Sequence, residues 1–139
     1  MKMRTITDSN VVLDTLGRGT DWQAWSSQRL NECYSDGALV INQIVYAEVA
    51  SELDRRSALD DVLSRLGIEQ EHMPFDACFQ AGHAYRAYRK QGGKRERVLP
   101  DFLIGAHAAA KGYRILTRDA ARYRTYFPGV EIIAPDTHP

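Results

Sequence analysis

Four acidic residues in this 139-residue sequence stand where the chain leaves a predicted strand or begins a predicted helix. Asp8 directly follows the apolar run MRTIT, and Asp119 comes just after RILT. Glu48 lies about one turn into the helix predicted after ALVIN, and Asp101 opens a helix after Pro100. In open α/β sheets, ligands bind beyond the carboxyl ends of the strands. We therefore expect the four carboxylates to converge at one edge of a sheet.

A cluster of carboxylates predicts a particular chemistry. Neighbouring negative charges favour protonation, and a divalent cation removes that penalty. Oxygen ligands without clustered His or Cys favour Mg²⁺ or Mn²⁺ over zinc. Such an ion can activate water and stabilise the charge of an in-line phosphoryl displacement. The pattern therefore indicates metal-assisted phosphodiester hydrolysis.

Each acid also has an ordinary structural explanation. Asp8, Asp101 and Asp119 each stand just before a predicted helix, where Asp commonly caps exposed N–H groups. Glu48 alone would be read as a solvated or ion-paired acid, because buried Glu is rare. Only the joint pattern favours a metal site over these separate roles.

The elements that must position the acids alternate along the chain. Short apolar runs predict strands at 3–7, 38–42, 114–117 and 130–133, and helical patterns cover 21–34, 43–54, 57–66, 76–91 and 101–111. The runs lack apolar/polar alternation, as expected for strands covered on both faces. The order predicts a three-layer α/β/α sandwich with a central parallel sheet. Segment 67–75 fits either a short edge strand or a connection.

Local signals mark several helix ends. Asp21 is a plausible N-cap for the helix over 21–34. Gly67 follows the helix over 57–66 and Gly112 follows the helix over 101–111, so both predict helix stops.

Composition predicts one ordinary globular domain over 1–139. Hydrophobic residues make up 44% and charged residues 26%. Lys plus Arg and Asp plus Glu each total 18, so no protein-wide positive field attracts nucleic acid. Cys33 and Cys78 are isolated and predict reduced thiols. The sequence shows no signal peptide and no membrane-spanning run, so we expect a soluble, cytoplasmic protein without membrane association.

Positive charge is concentrated just before Asp101. The segment contains Arg86, Arg89, Lys90, Lys94, Arg95 and Arg97. These cations could bind RNA phosphates with salt-dependent affinity, or they could be a solvated helix end that suits the negative end of the helix dipole. A second basic group, Arg118, Arg122 and Arg124, is weaker evidence. The helical spacing of Tyr85 and Tyr88 favours core or subunit interface over base stacking.

Several polar residues could support the acids. Ser9, Asn10 and Thr117 could orient the carboxylates or metal-bound waters, or could only satisfy backbone groups near turns. For Asp14 we expect a solvated helix face rather than contact with an outer water. His83 and His107 are expected to be helix residues rather than ligands, because neither has a partner at metal-ligand spacing.

Longer motifs extend this interpretation by resemblance. The chain is similar to PIN-domain proteins of the VapC toxin type over essentially its whole length, in the segments TDSNVVLD, VYAEVASEL, LPDFLIGAHAAAKG and ILTRDAARYRTYFPGVEIIAP. The most specific parts are PDFLIGAHA and the TRD stretch. Ser9 departs from the Thr that is more common after the first Asp, and both offer a hydroxyl.

The resemblance implies function as well as fold. It implies an endoribonuclease that uses Mg²⁺ or Mn²⁺ and leaves 5′-phosphate and 3′-hydroxyl ends. Asp8 and Asp101 would hold the principal metal, with Glu48 and Asp119 completing the site and Thr117 matching a hydroxyl position of the family. It further implies the toxin of a type II toxin–antitoxin pair, bound by a VapB-like antitoxin, and a homodimer. Our physical hypothesis is that a tail of the antitoxin adds a basic side chain to the acidic pocket and displaces metal or substrate.

Two alternatives belong to other functional classes. A haloacid-dehalogenase-type phosphatase would use Asp8 as nucleophile, but such sites have D-x-D and Asn10 stands at the third position. A non-cleaving RNA-binding inhibitor of translation with the same fold would survive metal chelation and acid-to-amide substitution, whereas a metal nuclease would not.

Overall fold

In the part of the chain that the structure describes, the sheet has five strands and is parallel throughout. The structure is a computed structural model that describes residues 2–94 and 98–139. The strands are β1 (Thr5–Thr7), β2 (Leu39–Ile41), β3 (Ile68–Gln70), β4 (Arg114–Leu116) and β5 (Ile132–Ile133). Their order is β3-β2-β1-β4-β5, and every neighbouring pair is parallel. The segment 67–75 therefore contains an edge strand, β3.

Seven helices connect or follow these strands in the described residues. They are α1 (Ser9–Asp14), α2 (Gln23–Asp36), α3 (Gln43–Ala50), α4 (Arg56–Leu66), α5 (Phe75–Lys90), α6 (Leu99–Lys111) and α7 (Ala121–Tyr126). All residues of β1, β2 and β4 are buried, which requires cover on both faces of the sheet. The predicted α/β/α sandwich with a central parallel sheet is confirmed.

Two apolar clusters fix the helices that carry the acids. The larger one is centred on the strands and includes Ile6, Val40 and Ile115, all fully buried. The smaller one lies between α5 and α6, where Ala77 and Ala81 pack with Phe102. Small alanines let the two helices approach closely, and Phe102 sits beside Asp101. The packing of α5 on α6 thus determines where Asp101 lies.

The two predicted glycine stops are confirmed, but other helix ends differ from the predictions. Gly67 and Gly112 both end helices with φ of 71°, in the left-handed region that glycine adopts most easily. Helix α3 ends at Ala50 rather than at 54. Helix α6 begins at Leu99, so Asp101 does not open it, because the first turn of a helix tolerates Pro100 without an N–H.

The N-cap assigned to Asp21 is wrong: α2 begins at Gln23 after Trp22, which provides no side-chain cap. The reason is local, because the Thr20 hydroxyl accepts the Trp22 N–H at 2.9 Å and turns the chain before the helix starts.

Asp14 is buried, so the expectation of a solvated helix face is wrong. Its Oδ2 accepts hydrogen bonds from Ser26 Oγ at 2.6 Å and from Arg118 Nε at 2.6 Å, and its Oδ1 accepts from Arg118 Nη2 at 3.1 Å. The Arg118 guanidinium also lies 5.5 Å from the ring centroid of Trp22. This ion pair ties α1 and α2 to the segment after β4.

No helix among the described residues is both long enough and apolar enough to cross a membrane.

The Asp14–Arg118 pair makes a prediction about stability. Arg118→Gln should lower the free energy of unfolding by about 3 kcal/mol, because it leaves a buried carboxylate without its cation. This is the low end for a broken buried pair, since the Arg118 side chain is 29% exposed. Urea unfolding at neutral pH measures it. In the matched control, Arg124→Gln breaks the exposed pair with Asp136 and should change little. Equal losses in the two variants would contradict this role of Arg118.

Candidate metal centre

The acids gather where the direction of the strand order reverses. From β1 the chain moves outward to β2 and β3, then returns to the other side of β1 as β4. Ligands of open α/β sheets bind at such a switch point. Asp8 leaves β1 at this place, and its backbone N–H donates to Leu116 O of β4 at 2.9 Å.

Asp8 is held on both carboxylate oxygens. Oδ1 accepts the backbone N–H of Ser9 at 2.8 Å, so Asp8 does cap α1. Oδ2 accepts from Thr117 Oγ1 at 2.9 Å and from the Tyr123 hydroxyl at 3.0 Å. Burial raises the pKa of Asp8, the hydrogen bond from Thr117 lowers it, and the charge of Asp101 raises it again. The cap and a role in the acidic site are therefore compatible.

Glu48 is half-buried on α3 and is not an ordinary solvated acid. Its Oε1 is buried without a hydrogen-bond partner in the described part of the chain. Burial raises the pKa of Glu48, the charge of Asp8 raises it further, a hydrogen bond from the Ser9 side chain lowers it, and the charge of Asp101 raises it again. A buried carboxylate oxygen without a partner is costly. A cation that Glu48 shared with Asp8 and Asp101 would remove the cost.

Asp101 lies in the first turn of α6 and does not cap it. The N-cap position is Val98, without a side-chain cap bond. Asp101 Oδ2 instead accepts a hydrogen bond from Arg122 Nη1, and the two side chains form an ion pair. Burial raises the pKa of Asp101, Arg122 lowers it, and the charge of Asp119 raises it. Arg122 thus faces the acids in the part of the chain that the structure describes.

Asp119 is the exposed member of the four acids. It does not cap α7 either, because Ala120 occupies that position. Its backbone N–H donates to Thr117 Oγ1 at 3.0 Å. The same Thr117 oxygen is 3.4 Å from Asn10 Nδ2, while Asn10 Oδ1 accepts the Arg118 N–H at 3.3 Å. Thr117 therefore lies between the first and last acids, and Ser9 and Asn10 lie beside them.

The acids interact electrostatically without forming a closed cage. Within residues 2–94 and 98–139, no three His, Cys, Asp or Glu side chains lie close enough together to hold a metal ion. Asp101 is engaged by Arg122, and Asp119 faces solvent. The donors still fit a hard divalent ion, because all are carboxylates and Glu48 Oε1 is an unpartnered buried oxygen. The chemistry of the residues matches Mg²⁺ or Mn²⁺ better than zinc.

Two neighbours of the acids were not predicted as site residues. Tyr123 is 1% exposed and its hydroxyl reaches Asp8. In the sequence an apolar ring on a helix predicts core, and nothing reveals where its hydroxyl points. In the sequence, Arg122 stands out only as a member of the weaker basic group. The other two arginines of that group pair elsewhere, Arg118 with Asp14 and Arg124 with Asp136.

The remaining predictions concern the basic segment and the histidines. Arg89, Lys90 and Lys94 are exposed, while Arg95 and Arg97 lie outside the described residues. His107 is buried in α6, with Nε2 2.7 Å from Glu71 Oε2 and Nδ1 3.2 Å from Asn42 Nδ2. These contacts give His107 a structural role.

A match to a known family covers most of the chain. The family model described as PIN domain matches residues 5–128. No curated protein is similar enough in sequence to count as a match.

Several solved structures share the fold. The VapBC2 complex from Rickettsia felis, bound to a DNA fragment from its promoter, has a TM-score of 0.72 and 17% identity, and covers 95% of this chain and 98% of that chain. DNA-bound VapBC from Salmonella typhimurium has a TM-score of 0.67 and 18% identity, with coverage of 95% and 98%. Mycobacterium tuberculosis VapC20, a sarcin–ricin loop cleaving toxin, has a TM-score of 0.65 and 19% identity, with coverage of 91% and 98%. At these identities the similarity establishes a common fold.

The environment of Glu48 makes a prediction about pH. The pKa of Glu48 in the folded protein lies above the ordinary 4.5. At pH values between the ordinary pKa and the raised one, the folded state therefore binds more protons than the unfolded chain. The contribution of Glu48 to the free energy of unfolding therefore falls as pH rises from the ordinary pKa through the raised one. Glu48→Gln should be more stable than the wild type at neutral pH in EDTA, and the difference should shrink toward acid pH.

Thermal unfolding followed by circular dichroism at several pH values measures this difference. Glu52→Gln is the matched control, because Glu52 is exposed and pairs with Arg18. A Glu48→Gln protein that is less stable than the wild type at neutral pH would contradict the electrostatic assignment.

Proposed function

The chain belongs to the PIN-domain family, and we propose from this that it is a metal-dependent endoribonuclease, the toxin of a type II toxin–antitoxin pair. The observation that carries the proposal is the group of acids at the β1–β4 switch point, in which the buried Glu48 Oε1 has no partner among the described residues. A protein without a use for cations there would gain by replacing that carboxylate with an apolar side chain. The cleaving neighbour VapC20 supports the ribonuclease assignment.

The residues divide the work at the site. Asp8 and Asp101 would hold the principal Mg²⁺ or Mn²⁺, with Glu48 and Asp119 completing the site. When bound, the ion would supply an activated water and would stabilise the charge that develops on the scissile phosphate and on the departing 3′-oxygen. Thr117 and Tyr123 hold Asp8 Oδ2, which leaves Oδ1, with one N–H bond from Ser9, as the oxygen with spare acceptor capacity. By family resemblance the products carry 5′-phosphate and 3′-hydroxyl ends.

Partners follow from the same family. We expect a VapB-like antitoxin to add a basic side chain to the acidic pocket, and the toxin itself to form a homodimer. Structures of VapBC complexes among the neighbours support the antitoxin. RNA phosphates would meet the exposed Arg89, Lys90 and Lys94, together with Arg95 and Arg97 from the same segment.

One observation favours a second candidate function. The acids form no ready-made group of three in the described residues, and Asp101 is already neutralised by Arg122. A non-cleaving RNA-binding inhibitor of translation would not need a metal ion at these acids. This candidate and the nuclease differ in whether RNA is cut when a divalent ion is supplied.

Cleavage of total cellular RNA by the purified, antitoxin-free protein tests the proposal. With Mg²⁺ or Mn²⁺ we expect discrete fragments, lost on chelation. The Asp101→Asn protein should cut RNA at least about 100-fold more slowly. Changing even a residue that only contacts a metal ligand lowers metal affinity or activity by about 10- to 100-fold, and Asp101 would be a ligand itself. Glu52→Gln is the control and should cut normally. Intact RNA under every condition would favour the non-cleaving inhibitor.

Tyr123 makes a separate prediction about metal affinity. Tyr123→Phe removes one of the two side-chain donors to Asp8 Oδ2 and leaves the ring in the core. The affinity for Mn²⁺, measured by isothermal titration calorimetry, should fall by about 10-fold or more. Tyr126→Phe is the matched control on the same helix, since its hydroxyl donates to Gln91 Oε1. Wild-type affinity in both variants would show that Tyr123 does not position Asp8.

A further inference from the structure

A continuous series of side chains leads from the acids onto the surface of α5. Arg122 pairs with Asp101, and its guanidinium lies 5.6 Å from the ring centroid of Tyr88. Tyr88 stacks on Tyr85 with centroids 6.2 Å apart and planes inclined by 22°. The guanidinium of Arg89 lies 5.9 Å from the Tyr85 centroid. Cations and aromatic rings thus connect Asp101 with the exposed end of α5. We name these side chains, together with the neighbouring cations of that helix end, the α5 series: Arg122, Tyr88, Tyr85, Arg89, Arg86 and Lys90.

The tyrosines are anchored rather than free to stack on bases. The ring centroids of Tyr85 and Tyr88 lie 5.7 and 5.6 Å from that of Phe102, in the cluster between α5 and α6. A ring fixed in this way holds a guanidinium against its face, while the N–H donors at the edge of the guanidinium stay available. The rings therefore hold Arg122 in its pair with Asp101 and pre-order Arg89 for binding an anion.

The exposed part of the series carries available positive charge. Arg86, Arg89 and Lys90 line an open depression of about 430 Å³ together with Gly82 and Tyr85. The ion pairs found among residues 2–94 and 98–139 involve none of these three cations. The protein has zero formal net charge, so this local patch must itself supply the attraction for a polyanion.

We propose that the α5 series is the binding track for a single-stranded RNA segment that flanks the phosphate at the metal centre. This proposal rests on the proposed ribonuclease function. The track begins at Asp101 and follows one helix, so it accommodates one backbone. Asp8, only 5% exposed, is within reach of an unstacked strand but not of a rigid duplex. Positive grooves that follow a single backbone are the usual solution for such ligands.

The test is binding without cleavage. A fluorescently labelled single-stranded RNA of about 12 nucleotides is titrated with the protein in EDTA, and anisotropy is followed over a range of salt concentrations. The double variant Arg89→Gln/Lys90→Gln should bind about tenfold more weakly at low salt. Its plot of log affinity against log salt should be shallower by about 1.4, since each phosphate contact on a single strand contributes about 0.7.

The control removes the same charge elsewhere. Arg55→Gln/Arg65→Gln changes two exposed cations at the ends of α4 and should bind like the wild type. Unlabelled duplex RNA should compete more weakly than the single strand. Equal binding by the two double variants would overturn the proposal, as would an acidic peptide that displaces the probe as well as single-stranded RNA does.

The two proposals fail in different ways. If the wild type cleaves RNA with a divalent ion while Arg89→Gln/Lys90→Gln binds and cleaves normally, the track is wrong and the ribonuclease function stands. If no condition supports cleavage but the double variant still loses single-strand binding, the track stands and the ribonuclease function is wrong.

Discussion

The fold depends on compensating a carboxylate that is buried at the end of β1. Asp8 would be costly there without partners, because burial disfavours its charged form. The compensation comes from three parts of the chain: the start of α1 through Ser9, the end of β4 through Thr117, and α7 through Tyr123. The same contacts fasten the two halves of the sheet across the switch point. Neighbouring acids then add repulsion that is only partly relieved, as indicated by Glu48 Oε1, which has no hydrogen-bond partner within residues 2–94 and 98–139.

Features governed by local chemistry could be predicted from the sequence. The buried apolar runs identified four strands, and their lack of alternation indicated a parallel sheet covered on both faces. Gly67 and Gly112 marked helix ends because a left-handed residue is needed there. Because parallel strands share one carboxyl edge, the residue order alone was enough to place Asp8 and Asp119 at that edge. For each of these inferences, the residues next to the feature in the chain carried enough information.

Features decided by distant contacts could not be predicted. Asp14 resembles a solvated helix acid until Arg118, 104 positions away, binds it. The Tyr123 hydroxyl meets Asp8 across 115 positions, and its ring alone predicts core. The missing cap at Asp21 is a local exception, because the chain turns at Thr20, whose hydroxyl accepts the Trp22 N–H, and α2 begins only at Gln23. The convergence of the acids was therefore predictable as a placement at one edge, whereas the partners of each carboxylate were not.

The arginines after β4 show how a neutral protein builds separate local fields. Arg118 neutralises Asp14 inside the fold, and Arg124 pairs with Asp136 at the surface. Arg122 faces the acids, and its other side rests on Tyr88, which connects it to the cations of α5. A negative centre therefore adjoins a positive helix face, although the formal charge sums to zero. Since such fields weaken with distance, a phosphodiester chain would be attracted along α5, and one of its phosphates could approach the acids only when a divalent cation neutralises them. This arrangement favours a ligand by the path of its backbone rather than by its total charge.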